Sequence, residues 1–143
     1  VECFFVTQVR PRNISLCCGF VRLVIGGLRA SGGVGKEGKT ALVFDSPVLE
    51  EVYSTFENSK TEKSEMLWNG MFFLRTVSDY VDYLKSRFVR FFIVNVNSEV
   101  EGTGIIPLSQ IDFHGNQKFK FRVDIIDNAQ PIGTLTGEIS VKK

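Results

Sequence analysis

The sequence predicts an all-β protein, an antiparallel two-sheet β-sandwich of about eight strands with one short helix. Short apolar runs recur at regular intervals along the 143 residues and are separated by turn residues, which is typical of a sandwich. The 13 phenylalanines favour strands. In the segment 118–123, Lys or Arg alternates with Phe or Val, so a strand there has one charged face and one apolar face.

The predicted strands follow one another along the chain, and each is bounded by turn residues. They are residues 2–9, 17–28, 40–46, 51–58, 66–77, 88–96, 105–108, 118–126 and 133–141. The segments 66–77 and 88–96 are almost continuously apolar, as expected of central strands that are covered on both sides. We expect seven large side chains of these strands in the core: Trp68, Phe72, Leu74, Phe91, Ile93, Phe119 and Phe121.

One segment, residues 77–87, has helical periodicity, because its apolar residues recur every three or four positions. Ser78 is a suitable N-cap, and Lys85 near the other end suits the negative end of a helix dipole. The sequence therefore predicts a short helix near 78–86 that links two core strands.

Length and composition indicate one ordinary globular domain. The chain of 143 residues is predicted to form a single unit, with its core in about 17–141 and an extra strand or linker in 1–16. Its net charge is +1, so electrostatic binding of any partner has to depend on a local patch. We therefore expect no nucleic-acid partner.

Localisation is predicted from the cysteines and from the apolar runs. Cys3, Cys17 and Cys18 are odd in number and lack zinc-ligand spacing, which favours reduced thiols in the cytoplasm. No apolar run reaches the roughly 18 residues of a membrane span, and residues 1–10 lack the layout of a signal peptide. We expect a cytoplasmic domain without a transmembrane segment, able to associate with a membrane or the cytoskeleton.

Residues 33–40 match the phosphate-loop pattern GxxxxGK[ST]. Such a loop requires a helix to begin at the lysine, so that amides at the helix N-terminus hold the phosphates. Here Val43 and Phe44 favour a strand, and Pro47 would break a helix within two turns. We interpret the segment as a glycine-rich loop between strands and keep nucleotide binding as a remote alternative.

The sequence offers no set of catalytic residues. His114 is the only histidine and lies in a turn sequence, and Asp79 and Asp82 are more simply solvated charges on the predicted helix. We therefore predict a protein that is not an enzyme and needs no cofactor.

Four segments together resemble the C2 domain family. LWNGMFFL at 67–74 resembles the C2 strand W-N-E-x-F-x-F, and 91–108 resembles the V-x-D-x-D strand with its loop and I-P-L ending. TALVFDS at 40–46 and GTLTGEISV at 133–141 resemble two further strands. The helical stretch VSDYVDYL resembles C2 domains of ciliary and basal-body scaffolds such as the retinitis pigmentosa GTPase regulator-interacting protein family. The resemblance covers roughly 20–141 and implies a C2 sandwich that acts as a binding module.

The chain departs from this family where calcium would bind. Calcium prefers six to eight oxygen ligands, several of them charged. Asn95 and Asn97 stand where the family has aspartates, and the glycine-rich loop offers one acid, Glu37, among lysines. Glu99 and Glu101 complete only a degenerate calcium loop. We expect calcium-independent function without a bound metal.

Two functions remain. The favoured hypothesis is a protein–protein scaffold or tethering module within a larger scaffold. The alternative is calcium-independent binding to anionic phospholipid or phosphoinositide membranes. It would use a basic strand face and a second cluster in the glycine-rich loop, that is Lys118, Lys120 and Arg122 with Lys36 and Lys39.

Overall fold

The computed structural model describes residues 19–35, 38–55, 60–62, 65–115 and 117–142. Several predictions fall outside these ranges. They are the strand at 2–9, the extra strand or linker at 1–16, the three cysteines, and the positions of Lys36 and Glu37.

The described chain contains nine strands and one helix. The strands are β1 (Arg22–Gly32), β2 (Thr40–Phe44), β3 (Tyr53–Ser54), β4 (Lys60–Glu62), β5 (Glu65–Arg75), β6 (Phe88–Asn95), β7 (Val100–Pro107), β8 (Phe119–Asp127) and β9 (Gln130–Lys142). The helix α1 (Val81–Lys85) connects β5 to β6. Every paired neighbour is antiparallel, in the order β3-β2-β6-β7-β8-β9-β1-β5-β4.

The sheet divides into two leaves at β7 and β8, which share a single registered pair, Thr103 with Ile126. The first leaf is β3-β2-β6-β7 and the second leaf is β8-β9-β1-β5-β4. A hydrogen bond joins the leaves across the core, where Trp68 Nε1 of β5 donates to the Thr40 carbonyl oxygen of β2 at 3.1 Å. The predicted antiparallel sandwich is therefore confirmed.

The core lies between the two leaves and consists of alternate residues of their strands. In β6, for example, Val89, Phe91 and Ile93 are fully buried while the residues between them are partly exposed. Five of the seven predicted core side chains are buried, and Phe72 and Phe119 are half-buried against the edge of the core.

The helix is confirmed, but it is shorter than predicted and Ser78 is not its N-cap. The N-cap is Tyr80, which lacks a side-chain capping bond. Ser78 instead ends the preceding turn, because its Oγ accepts from the Tyr80 amide at 3.0 Å and its carbonyl accepts from Thr76 Oγ1 at 2.6 Å. Leu84 is fully buried and fixes the helix to the core.

Strand pairing moved three boundaries relative to the sequence prediction. Of the predicted strand 51–58, the described residues 51–55 contain only β3, which pairs with Val43 and Phe44 of β2, and residues 56–58 lie outside the described ranges. β7 begins at Val100 because it pairs with β6 through the whole segment rather than from residue 105. β4 was not predicted, since three polar residues carry no apolar pattern, and it exists through pairing with β5.

A β-bulge at Gly26 and Gly27 lets β1 keep the same apolar side inward along its length. The register shifts at this point, and Gly27 has a φ of 63°, which glycine adopts without strain. As a result Ile25 and Leu28 are both buried, although they are three residues apart. The outward positions of β1 shift in the same way.

Candidate functional site

The loops that hold calcium in the resembled family lie at one end of this sandwich, which we call the loop end. Gly32 at the end of β1 pairs with Gly133, and Thr40 at the start of β2 pairs with Asn95. The loop 33–39, the β6–β7 turn at 96–99 and the β8–β9 turn at 128–129 therefore meet at this end. The predicted degenerate calcium loop lies at the β6–β7 turn.

The Asn95 amide organises its own turn. Its Oδ1 accepts from the backbone amides of Asn97 at 2.9 Å and Glu99 at 3.1 Å, and its Nδ2 donates to Glu99 Oε1 at 3.2 Å. The residue is 4% exposed. A carboxylate here could accept the two backbone bonds but could not donate to Glu99. The asparagine is therefore suited to a closed turn rather than to a ligand site.

Glu101 is used in a similar way, because its Oε1 accepts from the Gly35 amide at 2.7 Å and so fixes the glycine-rich loop to β7. Asn97 is exposed and contributes its backbone amide to the turn. Among the residues that the structure describes, no group of three or more His, Cys, Asp or Glu side chains could hold a metal ion. Calcium independence itself remains a prediction.

The glycine-rich loop lacks the helix that a phosphate loop needs. Lys39 is exposed and is followed directly by the strand β2 at Thr40. The helix N-terminus that would hold phosphates is therefore not formed at this position. The predicted strand after the loop is confirmed.

A broad basic surface lies on the outward side of the second leaf. Strand register places Arg122 of β8 beside Thr136 of β9, and Thr136 beside Arg29 of β1. One step further from the loop end, Lys120 pairs with Glu138. Successive rows across four strands thus bring together side chains that are far apart in the sequence.

We call this surface the basic face. Its cations are Arg22, Arg29, Arg75, Lys118, Lys120, Arg122 and Lys142, and its acids are Glu65, Asp124 and Glu138. Among the described side chains of β8, β9, β1 and β5 and of the adjoining Lys118, this face has seven cations and three acids, whereas the whole chain has a net charge of only +1.

Ion pairs neutralise part of the basic face. Lys118 is 3.7 Å from Glu138, and Arg29 is 3.4 Å from Glu65. Arg75 is paired with Glu50, which precedes β3, at 3.2 Å. All three pairs are at least partly exposed, so solvent and salt weaken them and the cations can exchange partners.

Exposed apolar side chains lie among these cations. Met71 and Phe73 of β5 point outward and are 57% and 45% exposed. Lys142 Nζ lies 5.6 Å from the centre of the Phe73 ring, and the Arg75 guanidinium lies 3.6 Å from that of Phe20. These are cation–π distances, so the aromatic rings and the cations form one continuous surface.

The structure brings together only part of the predicted lipid site. Lys118, Lys120 and Arg122 are exposed on one side of β8, as their alternation predicts. Lys39 is at the loop end, whereas Lys118 precedes the far end of β8, about 30 Å of extended strand away. Lys39 and Lys118 therefore lie at opposite ends of the sandwich, and Lys36 is outside the described residues.

The sequence analysis missed four cations of the basic face: Arg22, Arg29, Arg75 and Lys142. In a regular strand, strict alternation would place Arg22 and Arg29 on opposite sides. The bulge at Gly26 and Gly27 shifts the alternation, so both side chains point outward. The register of β9, β1 and β5 then places them beside β8.

Comparison with solved structures identifies the fold as that of a C2 domain. A C2 domain of plant Extended Synaptotagmin 1, the one designated A, matches with a TM-score of 0.64 and 14% identity, over 85% of this chain and 94% of that chain. CC2D1B matches with a TM-score of 0.61 and 19% identity, over 83% of this chain and 54% of that chain. A structure of Extended Synaptotagmin 2 with its SMP domain and two C2 domains has a TM-score of 0.58 and 12% identity, over 85% of this chain and 27% of that one.

These likenesses establish the fold alone. No protein-family model and no curated protein matches the sequence. The narrower resemblance to ciliary scaffolds remains a prediction. Within the described part of the chain, no helix has the length and apolarity needed to cross a bilayer.

Proposed function

We propose that this chain is a calcium-independent C2 module that binds anionic membranes through the basic face. The surplus of cations over acids on that face supports the proposal more than any other observation. Each cation close to an anionic leaflet contributes about 1 kcal/mol, so the surplus of three that remains when Glu50 is counted against Arg75 is worth about 3 kcal/mol. Met71 and Phe73 add apolar surface that can enter the interfacial region.

Co-sedimentation with liposomes tests this function directly. Phosphatidylcholine vesicles containing phosphatidylinositol bisphosphate should bind the chain equally in calcium and in EGTA, and binding should weaken as salt rises. Replacing Lys118, Lys120 and Arg122 with Glu should lower the affinity at least a hundredfold, because about 3 kcal/mol of attraction is removed and repulsion is added.

The matched control carries the same change of charge away from the basic face, at Lys39, Lys85 and Arg87, all of which are exposed. It should retain binding. If the control loses binding as fully as the first variant, attraction depends on net charge and the basic face is not the site. If the single substitution Lys39→Glu abolishes liposome binding and the other substitutions do not, the membrane-binding site is at the loop end.

Protein scaffolding is the second candidate function, and a different surface favours it. The seam between β7 and β8 is largely unpaired and contains a cleft of about 670 Å³. A strand edge beside a cleft is a common site for an added strand from another protein.

A further inference from the structure

The seam between the leaves is open over most of its length. In the described chain, β7 and β8 share one registered pair, close to the loop end, although they are neighbours in the sheet. From Ile105 to Pro107, β7 has a paired strand only on the β6 side. Such an edge presents main-chain donors and acceptors without strand partners.

At Gly104 the strand β7 lies close against β8. A Cβ atom on Gly104 would lie 2.6 Å from the Asp124 carbonyl oxygen of β8 and 2.6 Å from the Phe91 ring. A cleft of about 670 Å³ follows the seam, and β7 lines it from Thr103 to Pro107.

The cleft combines an apolar surface with two cations from opposite leaves. Ile105, which is 47% exposed, and Val123 contribute apolar surface. Arg90 of β6 and Arg122 of β8 line the same cleft, against the single acid Asp124. Among the described residues neither arginine forms an ion pair, although Arg90 Nε donates to the Asp45 carbonyl oxygen at 3.2 Å.

We propose that an extended segment of a partner protein binds in this cleft and adds a strand to the free edge of β7. An acidic side chain of the segment lies between Arg90 and Arg122, and its apolar neighbours pack on Ile105 and Val123. Main-chain hydrogen bonds provide affinity, and the alternate side chains provide specificity. The inference rests on the scaffolding function proposed above and gives it a surface and a partner chemistry.

Two features of the cleft favour an acidic partner over a neutral one. Two guanidinium groups against one carboxylate leave a positive balance, and arginine binds carboxylates with two parallel hydrogen bonds. The partly buried, apolar walls reduce solvent screening of such a pair.

Selection from a library of random 12-residue peptides displayed on phage tests the proposal with the intact 143-residue chain. Selected peptides should share an acidic residue flanked at alternate positions by apolar ones. A synthetic peptide of that consensus should slow hydrogen exchange at the Ile105 amide, which points away from β6 because alternate residues, such as Leu108, donate toward β6. Replacing Arg122 with Glu should weaken peptide binding at least tenfold, and Arg90→Gln should also weaken it.

Lys120→Glu is the matched control, because Lys120 is exposed two residues away on the same side of β8 and does not line the cleft. It should leave peptide binding unchanged while it weakens liposome binding. Conversely, Arg90→Gln should leave liposome binding unchanged, since Arg90 is outside the basic face. Far-ultraviolet circular dichroism and thermal melts establish that each variant folds.

Four results would overturn the proposal, and the first three concern peptide binding. They are a selection that yields no binding peptide, a consensus without an acidic position, and exchange protection at residues other than the β7 edge. Liposome binding that requires Arg90 would also overturn it, because the cleft would then be a lipid site. Peptide binding that persists without any liposome binding would leave this inference standing and refute the membrane function alone.

Discussion

Asn95 and Glu101 illustrate how single residues decide the character of the loop end. Both lie at the loop end, on the strands β6 and β7 that flank the turn at 96–99, and both are hydrogen-bonded within the protein. Asn95 makes three hydrogen bonds inside its turn, and Glu101 accepts one from Gly35. An amide side chain can both accept and donate hydrogen bonds, which an ionised carboxylate cannot do, and the hydrogen bonds of Asn95 close this turn.

Replacing Asn95 with Ala should lower the free energy of unfolding by about 1 to 3 kcal/mol, because two turn amides and the Glu99 carboxylate lose their partner. Urea denaturation monitored by circular dichroism measures this value. The control is Asn97→Ala, whose side chain is exposed and which should change stability by less than about 0.5 kcal/mol. Equal effects of the two substitutions would show that the Asn95 side chain does not hold the turn.

At the scale of the strands, β1 and β9 approach each other unusually closely near the loop end. Gly32 faces Gly133 in their register. A Cβ atom on Gly133 would overlap the Ser31 carbonyl oxygen, and one on Gly32 would overlap that of Ile132. The two backbones can approach this closely only because both positions are glycine, which has no Cβ atom.

Gly133→Ala should therefore destabilise the chain by about 3 kcal/mol, because the obstacle is backbone rather than a flexible side chain. Gly33→Ala is the control, since a Cβ atom there would meet only ordinary contacts, 3.5 Å from the Ile132 carbonyl oxygen. Thermal unfolding of both variants gives the comparison. A melting temperature unchanged by Gly133→Ala would mean that β1 and β9 are further apart than described.

On the scale of the whole molecule, charge is unevenly distributed. The net charge is +1, yet one side of the second leaf concentrates seven cations. Long-range attraction to an anionic surface therefore has a direction, which would orient the domain before contact. The seam cleft shares Arg122 and Asp124 with the basic face, so the two proposed surfaces adjoin along β8.

Millimolar calcium should leave the melting temperature within about 1 °C of its value in EGTA. A ligand present at 100 times its dissociation constant stabilises a protein by about 2.7 kcal/mol, which differential scanning fluorimetry detects easily. Magnesium at the same concentration controls for general ionic effects. A rise specific to calcium would identify a site at the loop end that includes Glu99 or Asn97, and would contradict the closed turn.

The sandwich, the linking helix and the basic side of β8 could all be predicted from the sequence, because each depends on a local period. Alternation along 118–123 alone determines that Lys120 and Arg122 share a side. Helical spacing likewise predicted α1, although its true N-cap at Tyr80 depends on how the preceding turn packs. β4 was missed because its strand character comes entirely from pairing with β5.

Only the tertiary structure determined which strands are neighbours and in which register they pair. Arg29 and Arg122 are 93 residues apart in the sequence, and each pairs with Thr136, which brings them to the same row of the basic face. Arg90 and Arg122 line one cleft because β7 and β8 are neighbours that share a single registered pair. The alternation of side chains along a strand depends on local sequence. The register and the separation of neighbouring strands depend on packing across the whole core, so both proposed binding surfaces are visible only in the folded chain.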